Sequence, residues 1–260
     1  MFYLIVFILG CCIGSFIGAF SFRYPRGIPI SKGRSFCPKC KKKISWYDNI
    51  PLLSFILLSG KCRNCKVKIS YREPFIELFA GLTFLITSLG INLVSVNLEW
   101  SNSLFFLQLP FLFIVESFLI TIFVIDLENQ IIPDEIVFAG VLFTIIGFLI
   151  TGRSDIFSYL MSGSLAALSL LVLHLLTKGR GMGLGDVKLA LFIGMVIGFS
   201  NTIVWFFISF FIGGVFGAIL IVLKKAKLKQ KLPFAPFLII GFLVVLFLGV
   251  NLKRYVYPWL

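Results

Sequence analysis

Three acidic residues, Asp126, Asp134 and Asp186, sit where apolar runs end, in a chain with only 11 Asp and Glu among its 260 residues. Asp126 falls in Val124-Ile125-Asp126-Leu127-Glu128, Asp134 follows Ile132-Pro133, and Asp186 closes Gly181-Met182-Gly183-Leu184-Gly185-Asp186. Two carboxylates brought together at a poorly hydrated boundary do not both ionise easily. One keeps a proton while the other polarises water, the chemistry of aspartic proteases. The glycines before Asp186 are expected to give the backbone conformations closed to other residues and to let a substrate strand approach. The run is no dinucleotide fingerprint, since no strand precedes it, and it lacks the GK[ST] of a phosphate loop. A lone Asp at a span end is ordinarily an interfacial cap, and Asp134 after Pro133 also fits the first turn of a helix, favoured by the helix dipole. Glu77 and Glu116 fall inside apolar runs, where acids are functional candidates by default. His174, the only histidine, reads as a packed residue near a helix end.

A second constellation is Cys37-Pro38-Lys39-Cys40 and Cys62-Arg63-Asn64-Cys65, two CxxC knuckles separated by residues 41–61. Each turn offers two sulfurs to one ion, and two turns complete a closed tetrahedral shell. The expected metal is therefore structural zinc, held by Cys37, Cys40, Cys62 and Cys65, with no position open for a catalytic water. The competing reading is redox pairs or bare thiols, and a reducing cytoplasm disfavours disulfides. A metal here would organise about fifty residues that carry little apolar core. Lys41, Lys42 and Lys43 read as a solvated or lipid-facing run, and Cys11 and Cys12 as small packing residues of the first apolar run.

The elements that position these groups are eight apolar runs. They cover about 1–22, 75–96, 104–125, 136–150, 156–176, 189–199, 202–223 and 234–250. Most approach the roughly 20 residues that cross a bilayer as a helix. The fourth and sixth are short, so they must borrow flanking residues, tilt, or be surrounded by protein rather than lipid. The first run has no basic n-region and is expected to be an uncleaved span. Alternating sides across eight crossings puts 21 of the 24 Lys and Arg on one face, leaving Arg153, Lys253 and Arg254 on the other. The crowded face is expected to be cytoplasmic, with 23–72, Asp126, Asp134 and Asp186 on it and both ends of the chain outside.

Composition agrees. Apolar types make up 59 % of the chain and charged residues 13 %, against about 25 % charged for a soluble domain. A water-soluble globule and a disordered chain are excluded. The net charge of +13 is concentrated between apolar runs, which points to topology and anionic lipid headgroups rather than nucleic acid. The expected fold is all-α: a polytopic membrane protein of about eight transmembrane helices with a small cytoplasmic zinc-ribbon-like insert after the first helix. The expected parts are 1–22, the first span; 23–73, the four-cysteine zinc-binding insert; and 74–260, a membrane aspartic peptidase domain.

The sequence resembles the bacterial type IV prepilin peptidases through most of its length. The marks are Gly14-Ser15-Phe16 with Arg23 and Pro25, the two CxxC knuckles, Trp46-Tyr47-Asp48-Asn49-Ile50-Pro51, Gly60-Lys61-Cys62-Arg63, and Ile69-Ser70 with Arg72 and Glu77. Further marks are Asp126 to Ile132-Pro133-Asp134, Gly183-Leu184-Gly185-Asp186-Val187-Lys188, and Pro233-Phe234-Ala235-Pro236-Phe237. The Gly-x-Gly-Asp element is also similar to that of presenilin-type proteases. The resemblance implies catalytic aspartates at Asp126 and Asp186, with Gly183, Gly185, Asp134 and Pro236 supporting the catalytic loop. It implies a leader peptidase of the cytoplasmic membrane acting on prepilin or pseudopilin precursors. It also implies an N-methyltransferase using S-adenosylmethionine, whose binding residues stay unassigned. Gly18 departs from the family's usual Asn. Two other classes are weighed against this one. A proton- or cation-coupled transporter would use Asp126, Asp134 and Glu116, but their clustering at one face gives no relay across the bilayer. A zinc-ribbon scaffold without catalysis would depend on Cys37 and Cys62 and not on the aspartates.

Overall fold

Among the described residues a helix forms in every apolar run, and several extend a few residues beyond it. A computed structural model describes residues 1–30, 35–93, 105–151, 155–179, 181–224 and 233–256. Among these, α1 is Phe2–Arg23, α2 the short Leu53–Leu57, α3 Arg72–Leu93, α4 Phe105–Asn129 and α5 Asp134–Ile150. They are followed by α6 Ile156–Leu176, α7 Leu184–Ile197, α8 Phe199–Val222 and α9 Ala235–Val256. No strand is present among the described residues, only the isolated bridges Phe36–Lys43 and Lys61–Lys68. Five helices are long and apolar enough to cross a membrane: α1, α3, α4, α6 and α8. Of the basic residues that set the expected orientation, Lys32, Arg34, Arg153, Arg180, Lys225, Lys227, Lys229 and Lys231 lie outside the described residues.

The chain divides into two compact units, Met1–Ser88 and Leu89–Leu260. In the first, α1 lies against α3 along a line of glycines four apart. A Cβ on Gly10 would stand 2.7 Å from the Ala80 carbonyl, and one on Gly14 would stand 2.7 Å from Glu77 Cα. Small residues let two backbones approach this closely in lipid, where packing rather than hydrophobic driving force joins helices. Cys11 is buried against Gly81, as expected of a packing residue, whereas Cys12 is exposed.

The second unit is built around α7, which packs against α5, α6, α8 and α9. Only 14 residues long, α7 would rise about 21 Å at 1.5 Å per residue, short of the hydrocarbon layer. It resolves that shortfall by being surrounded: Leu189, Ala190, Phe192, Ile193, Met195, Val196 and Ile197 are all buried. Its contact with α6 is again a small-residue seam, since a Cβ on Gly194 would lie 2.9 Å from Ala166 Cβ and 3.0 Å from Gly163 Cα. Ser162 and Thr202 share a 2.7 Å hydrogen bond between α6 and α8. Trp205 of α8 donates its indole N–H to the Leu238 carbonyl of α9 at 2.8 Å. The outer helices α6 and α8 carry exposed Phe157, Leu168, Phe207 and Val222, the faces a bilayer would cover.

Candidate active site

Asp126 lies in the last turn of α4, which runs one residue past Glu128 to Asn129 instead of ending at the acid. Gln130 then takes a left-handed conformation with φ of 54°, its N–H closing on the Asp126 carbonyl at 2.9 Å. Asp186 is the third residue of α7, whose helix begins earlier than the apolar run suggested. Both are buried, with 5 % of Asp126 and 7 % of Asp186 exposed. The two carboxylates approach closely enough to repel one another.

Each acid is held by a helix N-terminus. Asp126 accepts from the backbone N–H of Ala235, the first residue of α9. Asp186 Oδ2 accepts from the Gly183 N–H at 3.0 Å, the half of a capping box in which the third helical residue satisfies an otherwise orphaned donor. Asp126 Oδ2 is buried with no hydrogen-bond partner among the described residues. A buried carboxylate oxygen without a partner is costly, and here it belongs to one of two buried acids near enough to feel each other's charge. That pair can activate a water and manage its protons.

The residues expected to support the catalytic loop take places the sequence only partly anticipated. Gly183 has φ of −81° and ψ of 156°, and neither Gly181, Gly183 nor Gly185 has a positive φ. The expectation of unusual backbone conformations is therefore corrected. These glycines serve by lacking a side chain: a Cβ on Gly185 would stand 2.9 Å from Ile132 Cβ, so it lets α7 begin directly against the α4–α5 connection. Asp134 opens α5, as the Pro133 signal predicted, and is 53 % exposed. Lys188 donates to both its oxygens, at 2.7 and 2.8 Å. Asp134 thus ties the start of α5 to α7 two residues beyond Asp186. Pro236 is buried directly after Ala235, at the end of α9 that serves Asp126.

His174 does more than pack. Its Nδ1 lies 2.7 Å from the Met182 carbonyl, in the connection from α6 to α7. The only sequence signal for this contact is a histidine in the last turn of an apolar helix, eight residues before Met182. The Ala235 N–H had no signal at all, because backbone donors carry no residue type. Glu116 is buried within α4.

The first unit holds the cysteine site. The Sγ atoms of Cys37, Cys40, Cys62 and Cys65 all lie within 4.8 Å of one another, and none is in a disulfide. Cys37 and Cys65 Sγ are 3.8 Å apart. A tetrahedron with metal–sulfur bonds of about 2.3 Å has edges of about 3.8 Å, so the spacing fits a four-coordinate ion. The two knuckles are built alike. Lys41 and Lys66 donate back to the Cys37 and Cys62 carbonyls, and both have φ of 58°. The Cys40 N–H lowers the Cys37 thiol to about 6, and the Cys65 N–H likewise favours the Cys62 thiolate. Arg63 clamps Asp48 through bonds of 2.6 to 3.0 Å and holds its carboxyl below the usual range.

Glu77 is also buried in this unit, accepting from the Leu52 N–H at 2.8 Å and from Ser15. Leu52 takes a left-handed φ of 58°. At Gly18 the space of a side chain is filled by the Glu73 carboxylate, while Arg72 donates to the Gly18 carbonyl at 3.0 Å and to Ser21 Oγ at 2.7 Å.

Comparison with known proteins gives matches along most of the chain. Residues 8–91 match the bacterial peptidase A24 N-terminal domain, and residues 111–218 match the type IV leader peptidase family. Three relatives share the name prepilin leader peptidase/N-methyltransferase. That of Bacillus subtilis is 31 % identical over 94 % of both chains. That of Vibrio cholerae is 33 % identical over 94 % of this chain and 96 % of its own. That of Neisseria gonorrhoeae is 31 % identical over 97 % of this chain and 93 % of its own. No solved structure gives a significant match. The chain belongs to the type IV leader peptidase family. Nothing in these matches supports the transporter reading.

Proposed function

We propose that the protein is an aspartic endopeptidase of the cytoplasmic membrane that removes the basic leader from prepilin-like precursors and methylates the new N-terminus. The observation that carries the reading is the approach of Asp126 and Asp186, two buried carboxylates of one helical unit, in a chain of this family. Asp134, Gly183, Gly185 and Pro236 are assigned supporting places around them. The parts follow the functions: 1–22 the first span, 23–73 the metal insert, 74–260 the peptidase domain.

Like charges this close share a proton. The ionised member accepts a proton from a water held between the pair, and the resulting hydroxide attacks the scissile carbonyl. The protonated member supports the carbonyl oxygen through a hydrogen bond and keeps its proton at this stage. As the C–N bond breaks, the leaving amine takes up a proton from the pair, which returns it to its starting charge. A precursor whose apolar helix stays in lipid presents its leader junction at the membrane edge. That anchoring removes orientational freedom that would otherwise oppose the reaction.

In the insert, Cys37, Cys40, Cys62 and Cys65 would hold zinc, which supplies a closed structural node and no reacting position. S-adenosylmethionine supplies the activated methyl group for the second reaction. A new α-amine with an ordinary pKa of about 7.7–8.0 is neutral often enough at pH 7 to accept it. The basic residues between the spans would meet anionic headgroups on the cytoplasmic side.

The test is incubation of detergent-solubilised protein with a synthetic precursor and labelled S-adenosylmethionine, followed by mass spectrometry. Asp126→Asn and Asp186→Asn should each lower leader cleavage by about 10²–10⁴-fold while leaving the protein folded. Full processing by a folded Asp186→Asn protein would remove the assignment. Elemental analysis should find about one zinc per chain, lost in Cys62→Ser.

A further inference from the structure

We infer that His174 is a positioning residue for Asp186, acting through the single peptide unit that joins Met182 to Gly183. The inference rests on the peptidase reading. The carbonyl of that peptide lies 2.7 Å from His174 Nδ1, and its amide N–H donates to Asp186 Oδ2 at 3.0 Å. A carbonyl can only accept, so Nδ1 carries the proton and the direction of the chain is fixed: imidazole N–H to carbonyl, amide N–H to carboxylate. Donation to the oxygen of an amide polarises it and strengthens the bond its own N–H makes. The histidine thereby acts on the catalytic carboxylate without touching it.

The surroundings of the ring support this assignment. His174 lies in the last turn of α6, and the Gly179 N–H returns to its carbonyl at 2.8 Å. Gly179 has a left-handed φ of 71°, and a Cβ there would stand 3.2 Å from His174 Cε1, so the turn closes over the imidazole. Gly181 lies against the Thr177 side chain, and Met182 is buried. The ring therefore sits between the end of α6 and the approach to α7, with one nitrogen aimed at the peptide that feeds the α7 N-terminus. Rotation of this peptide would remove the Gly183 N–H from Asp186, and the His174 bond opposes that rotation.

The inference separates the two ring nitrogens, and amide side chains can test each. The Asn amide nitrogen overlays Nδ1, and the Gln amide nitrogen overlays Nε2. His174→Ala should lower kcat for leader cleavage about tenfold, the scale of one hydrogen bond, with KM within about twofold because substrate contacts are untouched. His174→Asn should restore kcat to within about threefold of the parent, and His174→Gln should stay near Ala. The inference is overturned if His174→Ala cleaves at the parental kcat, or if Asn and Gln give equal rates. The Asn–Gln comparison decides the matter even where the Ala protein does not fold. An Asp186→Asn control keeps the two readings apart. An active control ends the peptidase assignment, whereas an inactive control beside a fully active His174→Ala ends only the role of His174.

Discussion

Single glycines in this chain differ in what surrounds them, and that difference decides what a side chain would do. At Gly14 an added Cβ meets backbone, Glu77 Cα at 2.7 Å and the Ile76 carbonyl at 2.9 Å, so α1 and α3 would have to separate. At Gly18 it meets only the end of the Glu73 side chain, which is 41 % exposed and can swing away. Gly14→Ala should therefore destabilise by about 1–3 kcal/mol, an overpacking cost. Gly18→Ala should be neutral, or stabilising by up to about 1 kcal/mol through helix propensity. Thermal unfolding in detergent would distinguish them, and equal melting shifts would show that the α1–α3 approach is looser than described. The same reasoning softens the departure at Gly18, since the place of the family's Asn is here taken by the Glu73 carboxylate. The two buried acids and the clustered cysteines were legible because acids and paired cysteines are rare types in an apolar chain. The role of Gly185 was not, because a glycine chosen for the missing Cβ and one chosen for a positive φ read alike in sequence.

Among the elements, α7 carries the most consequence for its length. Its apolar run begins at Leu189, but the helix begins at Leu184, because Gly185, Asp186 and Lys188 interrupt the hydropathy of its first five residues. Hydrophobic periodicity marks the part of a helix that is covered, and caps mark where it starts. The five long spans were visible for the opposite reason: nearly every residue faces lipid or another apolar helix. Burial around α7 was open only as one of three ways to accommodate a short run, since lipid and protein impose the same apolar composition. Substitutions expose that hidden difference. Phe192 is fully buried and fills the space beside Gly140, so Phe192→Ala should cost about 3–5 kcal/mol and lower cleavage with it. Leu168 on α6 is 53 % exposed, and Leu168→Ala should fall within about 0.5 kcal/mol of the parent. Comparable losses in detergent melts of the two variants would contradict the central placement of α7.

For the molecule as a whole, function depends on which side of the membrane receives the dyad. Precursors carry their basic leaders in the cytoplasm before export, so a peptidase that removes them must open Asp126 and Asp186 to that side. Within the second unit the C-termini of α4 and α6 and the N-termini of α5, α7 and α9 all serve the aspartates: Asp126 on α4, the Lys188–Asp134 pair between α7 and α5, His174 on α6, and Ala235 on α9. One orientation of α6 therefore orients the site. Lys178 and Arg180 follow its C-terminal end in the sequence and Arg153 precedes its N-terminal end, and the positive-inside bias is expected to put the more basic end in the cytoplasm. Cysteines introduced at each end would read this directly. A membrane-impermeant maleimide applied to intact cells should label Asp155→Cys above the parental background, and should label Thr177→Cys only after the membrane is opened. The reverse pattern would put the dyad on the outer face, out of reach of an unexported leader, and the proposed substrate would fail even if the two aspartates were shown to hydrolyse peptides in detergent.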